Sequence, residues 1–369
     1  MALILNDDEE QFRDSVRRFV TERSPLPKLR ELMSSGRPFD PDTWKQLSGL
    51  GLAGLVIPAE YGGTEAGYAV LAVALTELGG GLVAAPLLAG TLAAGTLLRL
   101  GDQRAQAGLL PGIASGDLIA TLAFGGTGTV RAEGDTLTGE ISPVLNAAQA
   151  DVLLVPAVDG DATVLFEIAA SAPGLEVTPL PSLDHSRALA RVRLTAVPGQ
   201  RLAGDATAAL DFAADLANLA IAAEQLGGMA ACLAMTAEYA KIRLAFGRPI
   251  GSFQGVKHRL AELWTSWELA HAALRDAARA ADERPAEFPR AASVARIAVS
   301  ASYVDAAVAT VQLHGGIGFT WEHDAHLYHK NAISQHALFG GPSEQLDRLT
   351  AQLASAPRVS PSSARIRSG

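Results

Sequence analysis

One feature constrains this chain more than any other: a corner from Tyr239 to Gln254, Y-A-K-I-R-L-A-F-G-R-P-I-G-S-F-Q, matched further on by a glycine-rich turn from Gln312 to Phe319, Q-L-H-G-G-I-G-F. The corner closes a helical pattern on a basic residue and turns through Gly247, Pro249 and Gly251. It then sets Phe253 and Gln254 at the start of another apolar run, which predicts helix, turn, helix. Its residue types suit an anion. Arg243 offers a fixed fork of donors for a pyrophosphate oxygen, Gln254 and Gln312 each donate and accept, and Gly315, Gly316 and Gly318 let backbone N–H groups come close. Each piece alone also has a plainer reading, with Arg243 as a solvated helix-end cation and the glycines as a C-cap.

Taken together, the strings R-x-x-F-G-x-x-I-x-x-F-Q and Q-x-x-G-G-x-G resemble the acyl-CoA dehydrogenase family. In that family both elements grip the adenosine and pyrophosphate end of an FAD bound mainly by the neighbouring subunit. The resemblance implies FAD as cofactor, shared across a subunit interface, with Arg243, Phe246, Phe253, Gln254, Gln312, Gly315 and Gly316 on it.

Composition narrows the other possibilities. The chain has 369 residues, 49% of them hydrophobic, which is enough for two or three domains and a large core. Lys and Arg total 30 against 39 Asp and Glu, for a formal net charge of −9, and no segment clusters cations as a nucleic-acid partner requires. The single cysteine, Cys232, lies in an apolar helical pattern and reads as a small buried hydrophobe in a reducing compartment. The opening M-A-L-I-L-N-D-D-E-E has no positively charged leader, so a cytoplasmic location is expected. The longest apolar run, Leu82 to Leu98, is broken by Pro86, Gly90 and Gly95, which predicts a buried helix and no membrane span.

Along the chain the texture changes twice. Asn6 caps a helix with Phe12, Val16, Phe19 and Val20 at helical spacing, a second helix begins near Pro41, and Leu71–Leu78, Ala84–Leu98 and Gln103–Ile113 complete an Ala/Leu-rich bundle. Short β-like runs follow at Leu118–Phe124, Asp151–Ala157, Thr163–Ile168, Leu175–Leu180 and Ala190–Val197, read as a small antiparallel domain. Helical periodicity returns at Ala208–Phe246, Gln254–Ala281, Glu287–Leu313 and from Ser343. The expected class is α+β and acyl-CoA dehydrogenase-like: an amino-terminal helical domain (1–115), a middle β-barrel domain (116–204), a carboxy-terminal four-helix bundle (205–355) and a flexible tail (356–369).

The family's reaction removes a proton alpha to a thioester, and a carboxylate base must reach it. Most members carry that glutamate in a Y-E-G-T string, where this chain has Phe339, Gly340, Gly341 and Pro342, so Gly340 replaces the base. A second group places it on the first long helix of the carboxy-terminal domain; counting back from Phe246 gives Ala217 there. Among nearby acids, Asp215 and Glu224, the latter is the candidate for a relocated base, against its reading as a structural partner for a neighbouring helix. The family's T-E-P-x-x-G-S-D loop becomes Phe124 to Val130, F-G-G-T-G-T-V, and G-x-K-x-W-I-T-N becomes Gly139 to Asn146, G-E-I-S-P-V-L-N. Pro143 then stands where an aromatic residue shields the flavin and Leu145 where a hydroxyl bonds its N5, and only Gly139 and Asn146 are kept. Trp321 to Asp324, W-E-H-D, with His326 and His329 nearby, matches no familiar zinc spacing; a helix N-terminus with acidic first-turn residues accounts for Glu322 and Asp324.

The resemblance therefore implies a lopsided chain: the grip on a neighbour's FAD is intact, while the cradle for its own flavin ring and the base are replaced. Paired subunits of this kind occur in actinobacterial members acting on bulky acyl-CoA substrates such as sterol side chains, and Gly318 to Tyr328 is similar to that branch. Implied partners are an acyl-CoA substrate, a homologous catalytic subunit in an α2β2 assembly, and electron-transfer flavoprotein as acceptor. Two alternatives stay open: a self-sufficient homo-oligomeric dehydrogenase using Glu224, and a flavin-free acyl-CoA-binding or structural module.

Overall fold

The computed structural model describes residues 5–355; the expected tail at 356–369 lies outside the described residues. Six helices come first: α1 (Asp7–Arg23), α2 (Leu26–Ser35), α3 (Pro41–Gly49), α4 (Gly67–Gly80), α5 (Leu87–Leu100) and α6 (Gln103–Ser115). The Asn6 cap forms as the sequence predicts, as a capping box in which Glu9 N–H donates to the Asn6 side chain at 2.8 Å and Asn6 N–H donates to Glu9 at 3.0 Å. Helix α2 has no counterpart in the sequence reading. The run Leu82–Leu98 becomes the turn before α5 and most of α5 itself, packed in the core.

The middle domain is a curled sheet of eight strands: β1 (Ala120–Leu122), β2 (Val130–Glu133), β3 (Thr136–Leu145), β4 (Val152–Asp159), β5 (Ala162–Ala169), β6 (Leu175–Leu180), β7 (Leu189–Pro198) and β8 (Gln200–Arg201). The order is β6-β7-β3-β2-β4-β5-β8, with β1 beside β4. The expectation of a purely antiparallel domain is corrected: β1 pairs with β4 in parallel, Ala120 opposite Val152, and β2 meets β4 in parallel at Arg131 and Val158. The chain returns to β4 through the short helix at Ala147–Gln149 after β3, so two strands run the same way.

The last part holds α7 (Ala206–Ile242), α8 (Gln254–Glu283), α9 (Phe288–His314), α10 (Ala325–Ala337) and α11 (Pro342–Ser355). Helices α7 and Phe288–Phe319 are long and apolar enough to cross a membrane by length and composition, but most of α7 is buried within the fold.

One core cluster draws Leu47, Leu75, Leu92, Leu216, Ala217, Leu274 and Val299 from α3, α4, α5, α7, α8 and α9. Each buried leucine contributes about 1.5–3 kcal/mol. Glycines set the closest crossing within it, where a Cβ on Gly227 would lie 1.8 Å from the Thr76 carbonyl oxygen and one on Gly79 would lie 2.2 Å from that of Glu224. Backbone therefore meets backbone between α4 and α7. Polar ties reinforce the join. The Asp282 carboxylate of α8 accepts from the Tyr68 and Ala69 N–H groups at 2.8 and 2.9 Å, capping α4. Glu9 of α1, 4% exposed, pairs with Arg275 at 3.1 Å and Arg279 at 2.7 Å.

Candidate functional site

Helix α7 stops at Ile242, four residues short of the predicted Phe246, because Arg243 turns extended (φ −69°, ψ 122°) while its N–H still donates to the Tyr239 carbonyl. Leu244–Ala245 then pair with Arg248–Pro249 in a tight hairpin, and Phe246 and Gly247 take positive φ at its tip (52° and 77°). The tip is bare: Phe246 is 96% exposed, with Phe253 edge-on at 6.2 Å and the Arg248 guanidinium 4.2 Å above the Phe253 ring. Gln254 opens α8 and is exposed, as is Arg243.

The two motifs converge. Tyr239, the first residue of the corner, stacks on His314 at 4.3 Å, and its hydroxyl donates to the His314 carbonyl at 3.4 Å. His314 Nδ1 donates to the Thr310 carbonyl at 2.7 Å, which fixes the ring at the end of α9, and burial lowers its pKa. Exposed Gln312, Gly315 and Gly316 follow beside it; Gly315 has φ 64° and ψ −142°, outside the range of L side chains, and nothing lies within 4 Å of a Cβ on Gly316. Corner and turn thus form one open surface of Arg, Gln and free backbone beside aromatic rings.

On the ring side the residues are shut. Phe124 and Phe339 stack at 5.8 Å, and a Cβ on Gly125 between them would sit 2.2 Å from Phe339 Cδ1. The glycine-rich loop lies flat on β3: Thr127 and Ser142 exchange backbone hydrogen bonds at 2.8 and 3.0 Å, and a Cβ on Gly126 would be 2.7 Å from the Ser142 carbonyl carbon. Leu145 belongs to the helical core cluster, with Leu189 packed against it, and the Thr121 hydroxyl donates to the Leu145 carbonyl at 2.5 Å. The two kept positions have local backbone reasons: Gly139, at φ 150°, would put a Cβ 2.2 Å from the Thr129 carbonyl oxygen, and Asn146 holds φ 50°.

Neither usual base position offers a carboxylate. Gly340 has φ 89°, and a Cβ there would be 2.7 Å from Glu344 Oε2; Ala217 is fully buried. Glu224, 5% exposed, forms a buried ion pair with Arg187 from the loop between β6 and β7, and Gln335 Nε2 donates to it at 3.3 Å. Burial lowers the Arg187 pKa, and the neighbouring Asp184 partly offsets that. Asp215 pairs with Arg348 of α11 at 2.8 Å, yet burial pushes its carboxyl up to about 6. The turn carrying Gly340 hangs on Arg296, 1% exposed, which donates to the carbonyls of Gln335 at 2.6 Å and Leu338 at 3.0 Å and to Gln225 at 2.7 Å. Sequence reasoning gave no role to Arg187, Arg296 or Phe339. Gly125 beside Phe124 was the available signal for the last, since glycine next to an aromatic ring marks close approach.

The acidic residues of W-E-H-D are placed differently from expectation. Asp324 is the N-cap residue of α10 but makes no capping bond; it takes Arg30 at 2.6 Å, and Glu322 lies in the preceding loop. Among the described residues no group of three or more His, Cys, Asp or Glu side chains is arranged to hold a metal ion. Cys232 is buried and free, its thiol pushed up to about 12 by burial. Of the residues the resemblance assigns to FAD, those for the nucleotide end fit, with donors standing open, whereas the positions it assigns to the flavin ring do not, since Leu145 is packed with Leu189 and Phe339 in the core.

A fold of helices, curled sheet and helices, with this corner and turn, defines an acyl-CoA dehydrogenase, and the chain belongs to that oxidoreductase family, whose members are FAD-dependent and act on the CH–CH bond of acyl-CoA thioesters. Residues 6–117 match the acyl-CoA dehydrogenase N-terminal domain and residues 204–353 the C-terminal domain. The chain is 36% identical to acyl-CoA dehydrogenase IpdE2 of Mycobacterium tuberculosis over 95% of its own length and 99% of that protein's. It also superimposes on a chain of the ChsE4-ChsE5 complex from Mycobacterium tuberculosis with a TM-score of 0.90 at 30% identity, covering 97% of this chain and 100% of that one. A second similar structure is a variant of the Tcur3481-Tcur3483 steroid ACAD, with a TM-score of 0.87 at 31% identity and 94% and 98% coverage.

Proposed function

We propose that this chain is the subunit of a heteromeric, cytoplasmic acyl-CoA dehydrogenase that completes the FAD site of a homologous catalytic partner and supplies no base of its own. The observation that carries this reading is the contrast between the two ends: Phe246 is 96% exposed at the nucleotide-gripping corner, while the Phe124–Phe339 stack at 5.8 Å closes the crease where a ring and a base would meet. Loss of function by drift alone gives no reason for Arg243, Gln254 and Gln312 to stand ready while Gly340 and Leu145 have lost their chemistry. Similarity to the ChsE4-ChsE5 complex and to the Tcur3481-Tcur3483 steroid ACAD supports a paired assembly and a bulky acyl-CoA. Electron-transfer flavoprotein is the acceptor this reading expects.

Flavin absorbance per chain tests it. The chain purified alone should hold little FAD and show little acyl-CoA-dependent dye reduction, and co-expression with a homologous subunit encoded nearby should restore both. Stoichiometric flavin with full turnover in the lone chain sinks the proposal. Flavin-free protein in both preparations, with CoA-ester binding kept, would point instead to a binding module. The reading with Glu224 as base has its carboxylate already committed to Arg187 and Gln335.

A further inference from the structure

We propose that the cleft between the α2–α3 connection and the β6–β7 loop binds an apolar carboxylate. The cleft holds about 360 Å³, within the range of small-molecule sites. Its lining includes Arg37, His185 and Arg187 together with apolar Met33, Leu180 and Leu189, and no aspartate or glutamate. That cationic lining stands out in a chain of net charge −9. None of the residues of the corner or the turn lines the cleft, which meets the Phe124–Phe339 crease only at Leu189.

Arg187 gives the cleft its chemistry. The residue is 8% exposed; its Nη2 is committed to Glu224, whereas the buried Nε has no hydrogen-bond partner among the described residues. A carboxylate oxygen brought beside this donor supplies the partner it lacks. The loop is built in advance. Ser186 donates its N–H and hydroxyl to Asp184 Oδ1 at 2.9 and 2.7 Å, and Asn331 of α10 donates to Asp184 Oδ2 at 2.9 Å. Asn331 in turn accepts from the Tyr303 hydroxyl at 2.9 Å. A loop fixed in this way loses little freedom on binding. Exposed Arg37 and His185 line the same cleft and add a second donor set, and charge-assisted bonds to carboxylate are the strong kind. The apolar walls select a carboxylate on a hydrocarbon body over the phosphates of a nucleotide.

Calorimetric titration of the full chain with octanoate, 1-octanol and free coenzyme A tests the assignment. Octanoate should bind at one saturable site per chain and octanol about tenfold more weakly. Arg37→Ala should weaken octanoate about tenfold while leaving the melting temperature of the ligand-free chain unchanged, because Arg37 is exposed and outside the Arg187 network. Equal binding of octanol, no effect of Arg37→Ala, absence of saturable octanoate binding, or coenzyme A binding in its place would each overturn the proposal.

Discussion

The ring of Phe339, in the turn between α10 and α11, stacks on Phe124 just past the end of the first strand with centroids 5.8 Å apart, and only glycine fits at position 125 between sheet and turn. This contact joins the middle domain to the helical bundle. Phe339 itself holds a positive φ of 58°, a strained choice for an aromatic residue, so the packing outweighs the local backbone preference.

Restoring a glutamate at the usual position should therefore fail. Gly340→Glu must place a side chain at φ 89° with its Cβ 2.7 Å from Glu344 Oε2, beside a like charge. It should lower unfolding stability by about 1–3 kcal/mol and yield no acyl-CoA turnover in the lone chain. Denaturant unfolding and dye reduction measure both; turnover rising well above background would show that the crease opens.

The buried pair of Arg187 and Glu224 should behave as one unit. Glu224→Leu alone leaves a buried guanidinium without its counter-charge and should cost about 3–5 kcal/mol, whereas adding Arg187→Met should recover much of that loss. A double-mutant cycle on urea unfolding reads the coupling. If the two losses simply add, the pair is not a structural unit.

Asp215 predicts a pH effect. Its carboxyl, pushed up to about 6 by burial despite Arg348 and with Asp211 adding repulsion, holds its proton in the folded state over a range where the unfolded chain has released it. Its contribution is therefore fully present below about pH 4 and is lost as pH rises to about 6, by roughly 2 kcal/mol. Urea midpoints of wild type and Asp215→Asn measured from pH 4 to 7 should diverge across that window, the wild type losing stability relative to the variant. Parallel curves would place the Asp215 pKa near its ordinary value.

The helices with strong apolar periodicity were legible, as was the Asn6 capping box, because their signals are local. Helix α2 is short and starts at two prolines, Pro25 and Pro27, which sit at its N-terminal boundary and first turn, where a missing N–H costs nothing. The hairpin of β2 and β3 was hidden because β2 is only four residues long and carries the charged Arg131 and Glu133, although Gly134 takes the positive φ of 62° that its turn needs. The corner and the turn were readable as motifs with a shared task, but the contact that joins them, Tyr239 on His314, was not, since that stacking spans residues far apart in sequence. The same holds for Arg187 and Glu224, whose meeting depends on how the sheet loop enters the bundle.

The crossing at Gly79 and Gly227 has a bearing on how the molecule comes apart. With no side chain between the two backbones, α4 cannot lift away without exposing the middle of α7, and Glu224, one turn along, goes with it. Heating should then melt the first and last helical regions together as a single calorimetric event, however separate they look when written out as a string of letters.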